Sequence, residues 1–316
     1  MPSTLGVVAS ANIFRFAFVG GTDGYFAGGF TGSNVDTVDK FAFSNDSRST
    51  LGTGLSSARQ NMAGFSSTEA GYVGGGLTTV NVDTVDKFLF SNDSRSTLGT
   101  GLSSARRGTA GFASTSAGYS AGGITSVNVD TVDKFTFSND SQSTLGTGLS
   151  AARRAASGFC STTDGYAAGG VETSNVSTVN KFAFSNDSRS TLGTGISSAR
   201  NGTAGFSSTV SGYIGGGGTA SLVDTVDKFA FSNDSRSTLG TGLSSSRRFV
   251  TGFSSLNSGY AGGGEINSIG SLVFVATVDK FDFSNDSRST LGTGMSSSRY
   301  ATAGLSSVLY ETWVPE

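Results

Sequence analysis

One long phrase, VDKFxFSNDSRSTLGTGLSSAR with small changes, returns six times along the 316-residue chain and constrains its fold more than any other feature. A Phe follows the Lys of each copy, and successive Phe positions are 47 residues apart except for a last interval of 52: Phe41, Phe88, Phe135, Phe182, Phe229 and Phe281. A Tyr earlier in each unit keeps the 47-residue step throughout: Tyr25, Tyr72, Tyr119, Tyr166, Tyr213 and Tyr260. Five extra residues therefore lie between Tyr260 and Phe281. A fixed period of this length predicts a fold built from one repeated supersecondary unit.

Each unit contains four short segments with strand character. In residues 65–110 these segments are AGFSST (its Ala and Gly immediately before Phe65), GYVGGG, TVDKFLF and STLGTGL. The third segment alternates with a period of two, and the SNDSR residues after it favour a tight hairpin. No segment shows the apolar 3.6-residue period and the caps of a helix. The unit is therefore predicted to be all-β.

Six such units predict a six-bladed β-propeller with four antiparallel strands per blade and a 47-residue period. We expect a single domain over residues 1–316, with blades at approximately 18–64, 65–111, 112–158, 159–205, 206–252 and 253–304. The terminal segments 1–17 and 305–316 are expected to close the ring or to dock onto a neighbour. Residues 3–6 echo the fourth strand and residues 303–307 echo the first.

The 47 Gly and 24 Phe acquire a role in this fold. A residue without Cβ permits the close approach of innermost strands around a channel. The Phe pairs, such as Phe41 and Phe43, are expected to fill the space between adjacent blades, where burial of each ring is worth roughly 1.5–3 kcal/mol. The spacing of aromatic residues along the whole chain also argues against disorder.

Composition excludes several classes of chemistry. Without His, the chain cannot build a Ser-His-Asp relay or a His-ligated metal centre, and with Cys160 alone it cannot form an internal disulfide or a thiol cluster. A net charge of −2 gives no general attraction to nucleic acid. The longest apolar run, at 272–275 with its neighbours, is too short for membrane insertion. We therefore expect no catalytic residue, metal, cofactor or nucleic-acid partner.

The copies differ in two places, which are the loop between the second and third strands and the connection from one blade to the next. Because successive strands reverse direction, both emerge on one face, called the variable face below. Loops on a rigid scaffold commonly carry binding residues. The candidate ligand-binding residues are Phe30, Asn61, Met62, Leu77, Arg107, Arg154, Glu172, Arg248, Phe249, Glu265, Ile266, Asn267 and Tyr300.

Within this set, Arg107, Arg154 and Arg248 are placed for acidic sugars or phosphate. The insertion at 265–275 is apolar for a surface loop. It is interpreted as a binding finger, an oligomer contact or an ordinary loop that packs on its own blade.

Two repeated charged sets are interpreted as structural. A closing Arg ends each copy, at Arg59, Arg106, Arg153, Arg200, Arg247 and Arg299. It could line an anion site, but a structural role that ties loop carbonyls and a carboxylate is favoured. The repeated Asp residues are expected in turns and ion pairs, because sixfold repetition gives no differentiated acid and base.

The unit resembles a kelch repeat in its Gly28-Gly29 pair, its Phe41 and Phe43 strand and its closing Arg59, with equivalents around the ring. The phrase FSNDSRSTLGTGLSSAR also resembles repeats in structural proteins of marine tailed bacteriophages, including those of cyanobacteria. The kelch resemblance implies the blade architecture. The phage resemblance implies a virion component, such as a tail fibre or appendage, and a virion location; the alternative is an extracellular or cell-surface location.

The expected function is non-enzymatic binding of a host-surface glycan or protein. The alternative is a structural module that binds other virion proteins or further copies of itself as an oligomer.

Overall fold

The computed structural model describes residues 16–17, 21–268, 271–307 and 312–313. It is all-β and forms a ring of six blades, each a four-stranded antiparallel sheet. Two further sheets have two strands each. Across the residues described, no helix has the length and apolar character needed to cross a bilayer.

The strands follow the repeat closely. Blades are numbered in chain order, and the strands of each blade are given from the innermost outward, except in blade 1, whose innermost strand comes from the end of the chain. The chain begins with β1 (Phe16–Ala17), β2 (Asp23–Ala27), β3 (Val38–Ala42) and β4 (Arg48–Thr50). Blade 2 consists of β5 (Ala63–Ser66), β6 (Ala70–Gly74), β7 (Val85–Leu89) and β8 (Arg95–Thr97). Blade 3 consists of β9 (Ala110–Ala113), β10 (Ala117–Ala121), β11 (Val132–Thr136) and β12 (Ser141–Thr144). Blade 4 consists of β13 (Ser157–Cys160), β14 (Asp164–Ala168), β15 (Val179–Ala183) and β16 (Arg189–Thr191).

The remaining strands include the insertion. Blade 5 consists of β17 (Ala204–Ser207), β18 (Ser211–Gly215), β19 (Val226–Ala230) and β20 (Ser235–Thr238). Blade 6 consists of β21 (Thr251–Ser254), β22 (Ser258–Gly262), β25 (Val278–Asp282) and β26 (Arg288–Thr290), with the hairpin β23 (Glu265–Ser268) and β24 (Ser271–Phe274) inserted between its second and third strands. The chain ends with β27 (Ala303–Ser306) and β28 (Thr312–Trp313), and β28 pairs with β1.

Ring closure comes from the C-terminal part of the repeat. Strand β27 pairs antiparallel with β2, placing Leu305 opposite Tyr25, and so supplies the innermost strand of blade 1. Residues 303–304, which the repeat count assigned to the end of blade 6, thus belong to blade 1. The segments 3–6 and 308–311, and most of the terminal segments named above, lie outside the described residues.

Glycine at the centre of each innermost strand lets the blades approach one another. A Cβ at Gly111 would lie 2.1 Å from the carbonyl oxygen of Gly64, and one at Gly158 would lie 2.0 Å from that of Gly111. Since no real Cβ tolerates such a contact with backbone, a larger residue would push the blades apart. The predicted reason for the Gly content therefore agrees with the packing.

Phenylalanine fills the space farther out. Phe135 and Phe137 of blade 3 stack on Phe65 and Tyr72 of blade 2, with ring centroids 5.6 and 5.2 Å apart. Equivalent contacts recur around the ring. The outermost strand is shorter than predicted: in blade 2 it covers only Arg95–Thr97, and the following LGTGL runs on to the next blade.

Candidate functional site

The two variable sets lie side by side on one face of the ring. The residue after each closing Arg forms a β-bridge with the first residue of the loop that follows the Gly pair, in the pairs Gln60 and Leu77, Arg107 and Ile124, Arg154 and Val171, Asn201 and Gly218, Arg248 and Glu265, and Tyr300 and Phe30. The blade-to-blade connection and the loop between the second and third strands therefore form one continuous surface.

A ring of backbone hydrogen bonds surrounds the channel on this face. The second residue after each closing Arg is left-handed, with φ between 53° and 67°: Asn61, Gly108, Ala155, Gly202, Phe249 and Ala301. At five of the six junctions, its N–H donates to the carbonyl of the equivalent residue in the preceding blade, with distances of 2.7 to 3.1 Å. At the sixth junction, the N–H of Val250 donates instead to the carbonyl of Gly202 at 3.3 Å. These residues line a cavity of about 110 Å³ at the channel mouth. Their backbone groups are thus occupied in closing the ring.

The closing Arg side chains are fully buried. At five junctions, Nη2 lies 2.8 to 2.9 Å from an Asp of the next blade, in the pairs Arg59 and Asp86, Arg106 and Asp133, Arg200 and Asp227, Arg247 and Asp279, and Arg299 and Asp39. Each Nη2 also donates to a carbonyl of the second strand of that blade, as at Val73 and Ser120. Burial alone would raise the pKa of Asp86, but Arg59 and hydrogen bonds from Ser56 outweigh it and lower that pKa. The structure therefore places these Arg residues at blade junctions and out of reach of a ligand.

Blade 4 departs from this pattern because Asn180 stands in place of the Asp. Arg153 donates to the carbonyl of Ala167 at 3.1 Å, while Asn180 bonds with Ser150 and Thr191. Burial lowers the pKa of Arg153 to about 10. Arg153 thus keeps its bond to the second strand while the residue at the Asp position is neutral.

An Asn in the loop between the second and third strands ties most neighbouring loops together. Asn81, for example, donates to the carbonyls of Ile124 and Thr125 and accepts from Arg107 at 2.8 Å. The same tie occurs at Asn34, Asn128 and Asn175. Arg154 is held in the same way by Asn128. In blade 5 the position is Leu222, and in blade 6 the hairpin replaces the loop.

Where the ties end, an aromatic cluster begins. It consists of Phe30, Phe249, Phe274 and Tyr300, which come from distant parts of the sequence. The centroid of the Tyr300 ring lies 5.6 Å from that of Phe30, 5.5 Å from that of Phe249 and 4.9 Å from that of Phe274, all at tilted angles. All four residues are half-buried. The cluster therefore spans the junctions between blades 5, 6 and 1 on the variable face.

The cluster coincides with departures from the repeat. In the other copies no aromatic residue occupies the positions of Phe30, Phe249 or Tyr300, and Phe274 belongs to the insertion. The residues at the position of Phe30 are Leu77, Ile124, Val171, Gly218 and Glu265, and those at the position of Tyr300 are Gln60, Arg107, Arg154, Asn201 and Arg248. Three separate departures therefore converge on one place together with the insertion.

The inserted hairpin completes this site. Phe274 pairs with Glu265 and Leu272 with Asn267, so these four residues share one face of the hairpin, while Ile266 and Val273 lie on the other. Glu265 is buried and ion-paired with Arg248, whose guanidinium lies 5.1 Å from the centroid of the Phe249 ring. Leu272 and Val273 are exposed.

Of the candidates identified from the sequence, the structure brings together Phe30, Arg248, Phe249, Glu265 and Tyr300. The remaining candidates, apart from Ile266 and Asn267 on the hairpin, are distributed around the face: Asn61, Met62, Leu77, Arg107, Arg154 and Glu172. Met62 is buried, and a Cβ at Gly76 would meet its side chain, so it contributes to packing. Phe274 was absent from the candidate set; a search for aromatic residues confined to one copy would have found it.

The opposite face carries the SNDSR hairpins and is uniform. In every blade, the hairpin Asp of the next blade accepts a hydrogen bond from the Tyr hydroxyl and forms an ion pair with the Lys Nζ. Tyr25 and Lys40, for example, each lie 2.9 Å from a carboxylate oxygen of Asp93. The Lys also lies over its Tyr ring. On this side of the ring, the channel forms a cavity of about 360 Å³, which is lined partly by the turns at Thr162, Thr209 and Leu256. The residues that the structure describes contain no group of three or more Cys, Asp or Glu arranged to hold a metal ion.

The fold and this site together define the class of the protein as a six-bladed β-propeller with one asymmetric sector. Comparisons with models of known protein families and with curated proteins find no match to the chain.

Proposed function

We propose that the chain is a non-enzymatic binding propeller that attaches to a glycan or protein of a host-cell surface through its variable face. The supporting observation is the aromatic cluster of Phe30, Phe249, Phe274 and Tyr300, where departures from an otherwise uniform repeat converge beside the channel mouth. Binding residues commonly lie on loops carried by a rigid scaffold. The likeness of the phrase FSNDSRSTLGTGLSSAR to repeats of tailed-phage structural proteins supports a virion role, as a tail fibre or appendage.

The non-enzymatic part of the proposal is supported by the state of the repeated acids. The third-strand and hairpin Asp residues accept bonds from Arg, Lys and Tyr of adjacent blades. At Asp86, the Arg59 guanidinium and hydrogen bonds from Ser56 outweigh burial and lower the pKa, whereas glycoside cleavage requires one carboxyl with a raised pKa.

A structural role is the second candidate. Leu272 and Val273 are 51% and 40% exposed on opposite faces of the hairpin, and apolar side chains exposed on both faces suit contact with another virion protein or another copy.

The experiment is a glycan-array screen of the labelled chain, paired with light scattering of the same sample. We expect binding to at least one surface glycan, or to intact host cells, and loss of that binding in Tyr300→Ala. Asn201→Ala changes the equivalent position at the junction of blades 4 and 5, outside the candidate binding residues, and serves as the control. No binding together with stable self-assembly would favour the structural role. Hydrolysis of a bound polysaccharide would refute the non-enzymatic proposal.

A further inference from the structure

We propose that the aromatic cluster and the adjoining hairpin face form a subsite for an uncharged sugar ring. This inference rests on the proposed binding function and names the ligand class of the same site. Three features of that sector support the inference: its charge, its polar groups and its backbone conformation.

Charge separates this sector from the rest of the variable face. Arg107 and Arg154 donate to the neutral side chains of Asn81 and Asn128, and neither forms an ion pair with a carboxylate among the described residues. Arg248 is instead ion-paired with Glu265, which is 5% exposed. An anionic ligand at the aromatic cluster would gain little from Arg248 and would be repelled by Glu265. The sector therefore suits a neutral ligand, in contrast to the sequence expectation of an acidic sugar or phosphate at Arg248.

The side chains of the sector match a sugar in their chemistry. A pyranose ring has an apolar C–H surface bordered by hydroxyls, and small-ligand sites combine aromatic side chains with a few polar groups. The Tyr300 hydroxyl and the Asn267 amide can both donate and accept, and the Arg248 guanidinium, 32% exposed, can donate. The rings lie within 5.9 Å of their neighbours and are partly buried by one another.

The backbone at Phe249 supplies an independent observation. Phe249 has φ of 53°, and the equivalent residues are Gly, Ala or Asn. A bulky side chain is unfavourable in the left-handed region, and strain of this kind concentrates at ligand-binding sites. Its ring lines the channel mouth and also packs against Tyr300. The strained residue thus holds an aromatic ring between the mouth and the cluster.

The test uses the full chain and simple probes in ligand-observed NMR and calorimetry. The neutral probes are methyl glycosides of glucose, galactose and mannose and their short oligosaccharides; the charged probes are the corresponding uronic acids. We expect binding of at least one neutral probe, weakened about tenfold or more by Tyr300→Ala and by Phe274→Ala. Ile124→Ala, at the position of Phe30 in blade 3, is the matched control and should leave affinity within about twofold. Thermal melts of each variant establish that it is folded.

A second variant tests the charge argument directly. Glu265→Gln leaves Arg248 without its carboxylate, so we expect the preference to move toward uronic acids while the aromatic contacts stay in place. Neutral-sugar affinity unchanged in Tyr300→Ala and Phe274→Ala, or wild-type binding of uronic acids alone, would overturn the subsite while leaving the adhesion function standing. Binding to a host protein without any sugar binding would do the same. Absence of binding to every probe, to the array and to host cells would overturn both proposals.

Discussion

Two sets of charged contacts join neighbouring blades, and they differ in uniformity. On the hairpin face, Tyr, Lys and Asp meet in the same way at all six junctions. Beneath the variable face, the closing Arg pairs with an Asp at five junctions, whereas at the sixth Asn180 occupies the Asp position and bonds to Ser150 and Thr191. Because its six junctions are equivalent, the Tyr residues of the uniform set are expected to titrate over the same range of pH. The other set contains its own comparison, because Arg153 keeps its bond to the second strand without the ionic charge of a partner.

The largest effect is expected from alkali acting on the uniform set. Burial and the neighbouring Asp raise the pKa of Tyr72 and of the five equivalent Tyr residues. The folded state therefore favours the neutral phenol, and its contribution is complete below the ordinary Tyr pKa of about 10 and is lost above it. Each Tyr lowers the free energy of unfolding by about 1.4 kcal/mol per pH unit there, so six together lower it by on the order of 8 kcal/mol per pH unit. We expect cooperative unfolding between about pH 11 and 12.

This prediction is checked by urea unfolding followed by circular dichroism at a series of pH values. Tyr119→Phe removes one titrating group and should reduce the alkaline slope by about one sixth. The sequence has no His, so stability between about pH 6 and 8 should be nearly constant. A chain that stays folded with unchanged urea midpoint at pH 12 would contradict the shared titration.

The next largest effect separates the charged junctions from the neutral one. Arg106→Met leaves Asp133 buried without its cation, and we expect a loss of about 3–5 kcal/mol in the free energy of unfolding. Arg153→Met leaves only neutral partners and should lose about 1–3 kcal/mol. Both side chains are fully buried, so lost packing is similar. Equal losses in urea unfolding would show that ionic pairing does not distinguish the junctions.

Restoring the missing carboxylate should have the opposite sign. Asn180→Asp is expected to stabilise the chain by about 2 kcal/mol, because the buried Arg153 gains a charged acceptor. By analogy with Asp86 and Asp227, whose pKa values are lowered in the folded state, the gain should be present above about pH 4 and lost as the pH falls further. The control is Asn180→Asp combined with Arg153→Met, which should be less stable than Arg153→Met alone. A gain that persists in this combination would argue against ion pairing as its cause.

The uniform parts of the molecule were those that the sequence could predict. Six copies of Tyr and Phe at a fixed step determined the blade number, and the Gly at Gly111 and its equivalents indicated close packing before any geometry was known. The alternation of strands also placed both variable loops on one face, where the bridge between Arg107 and Ile124 shows them in contact.

The convergence of the asymmetric residues on one sector could not be predicted, because it depends on which distant positions meet. Phe30 and Tyr300 are separated by almost the whole chain and become neighbours only when the ring closes through β27. The burial of Met62 depends on the packing of the Gly pair in the next blade. Arg107 and Arg154 are each held by an Asn, but Leu222 stands at that Asn position in blade 5, and Arg248 pairs with Glu265 instead. The meaning of this substitution becomes clear only when the three junctions are compared.

The smallest expected effect concerns the backbone ring at the channel mouth. Ala155 has φ of 54°, where Gly108 and Gly202 occupy the equivalent positions. Ala155→Gly should therefore stabilise the chain by about 0.5–1 kcal/mol, measured as a raised urea midpoint. Ala121→Gly, in the regular strand β10, is the control and should destabilise by at least a similar amount. Unchanged stability in Ala155→Gly would mean that the left-handed conformation costs nothing at this ring. If the gain appears there while Phe249→Gly abolishes sugar binding, the strain retained at Phe249 is explained by the ligand rather than by the ring.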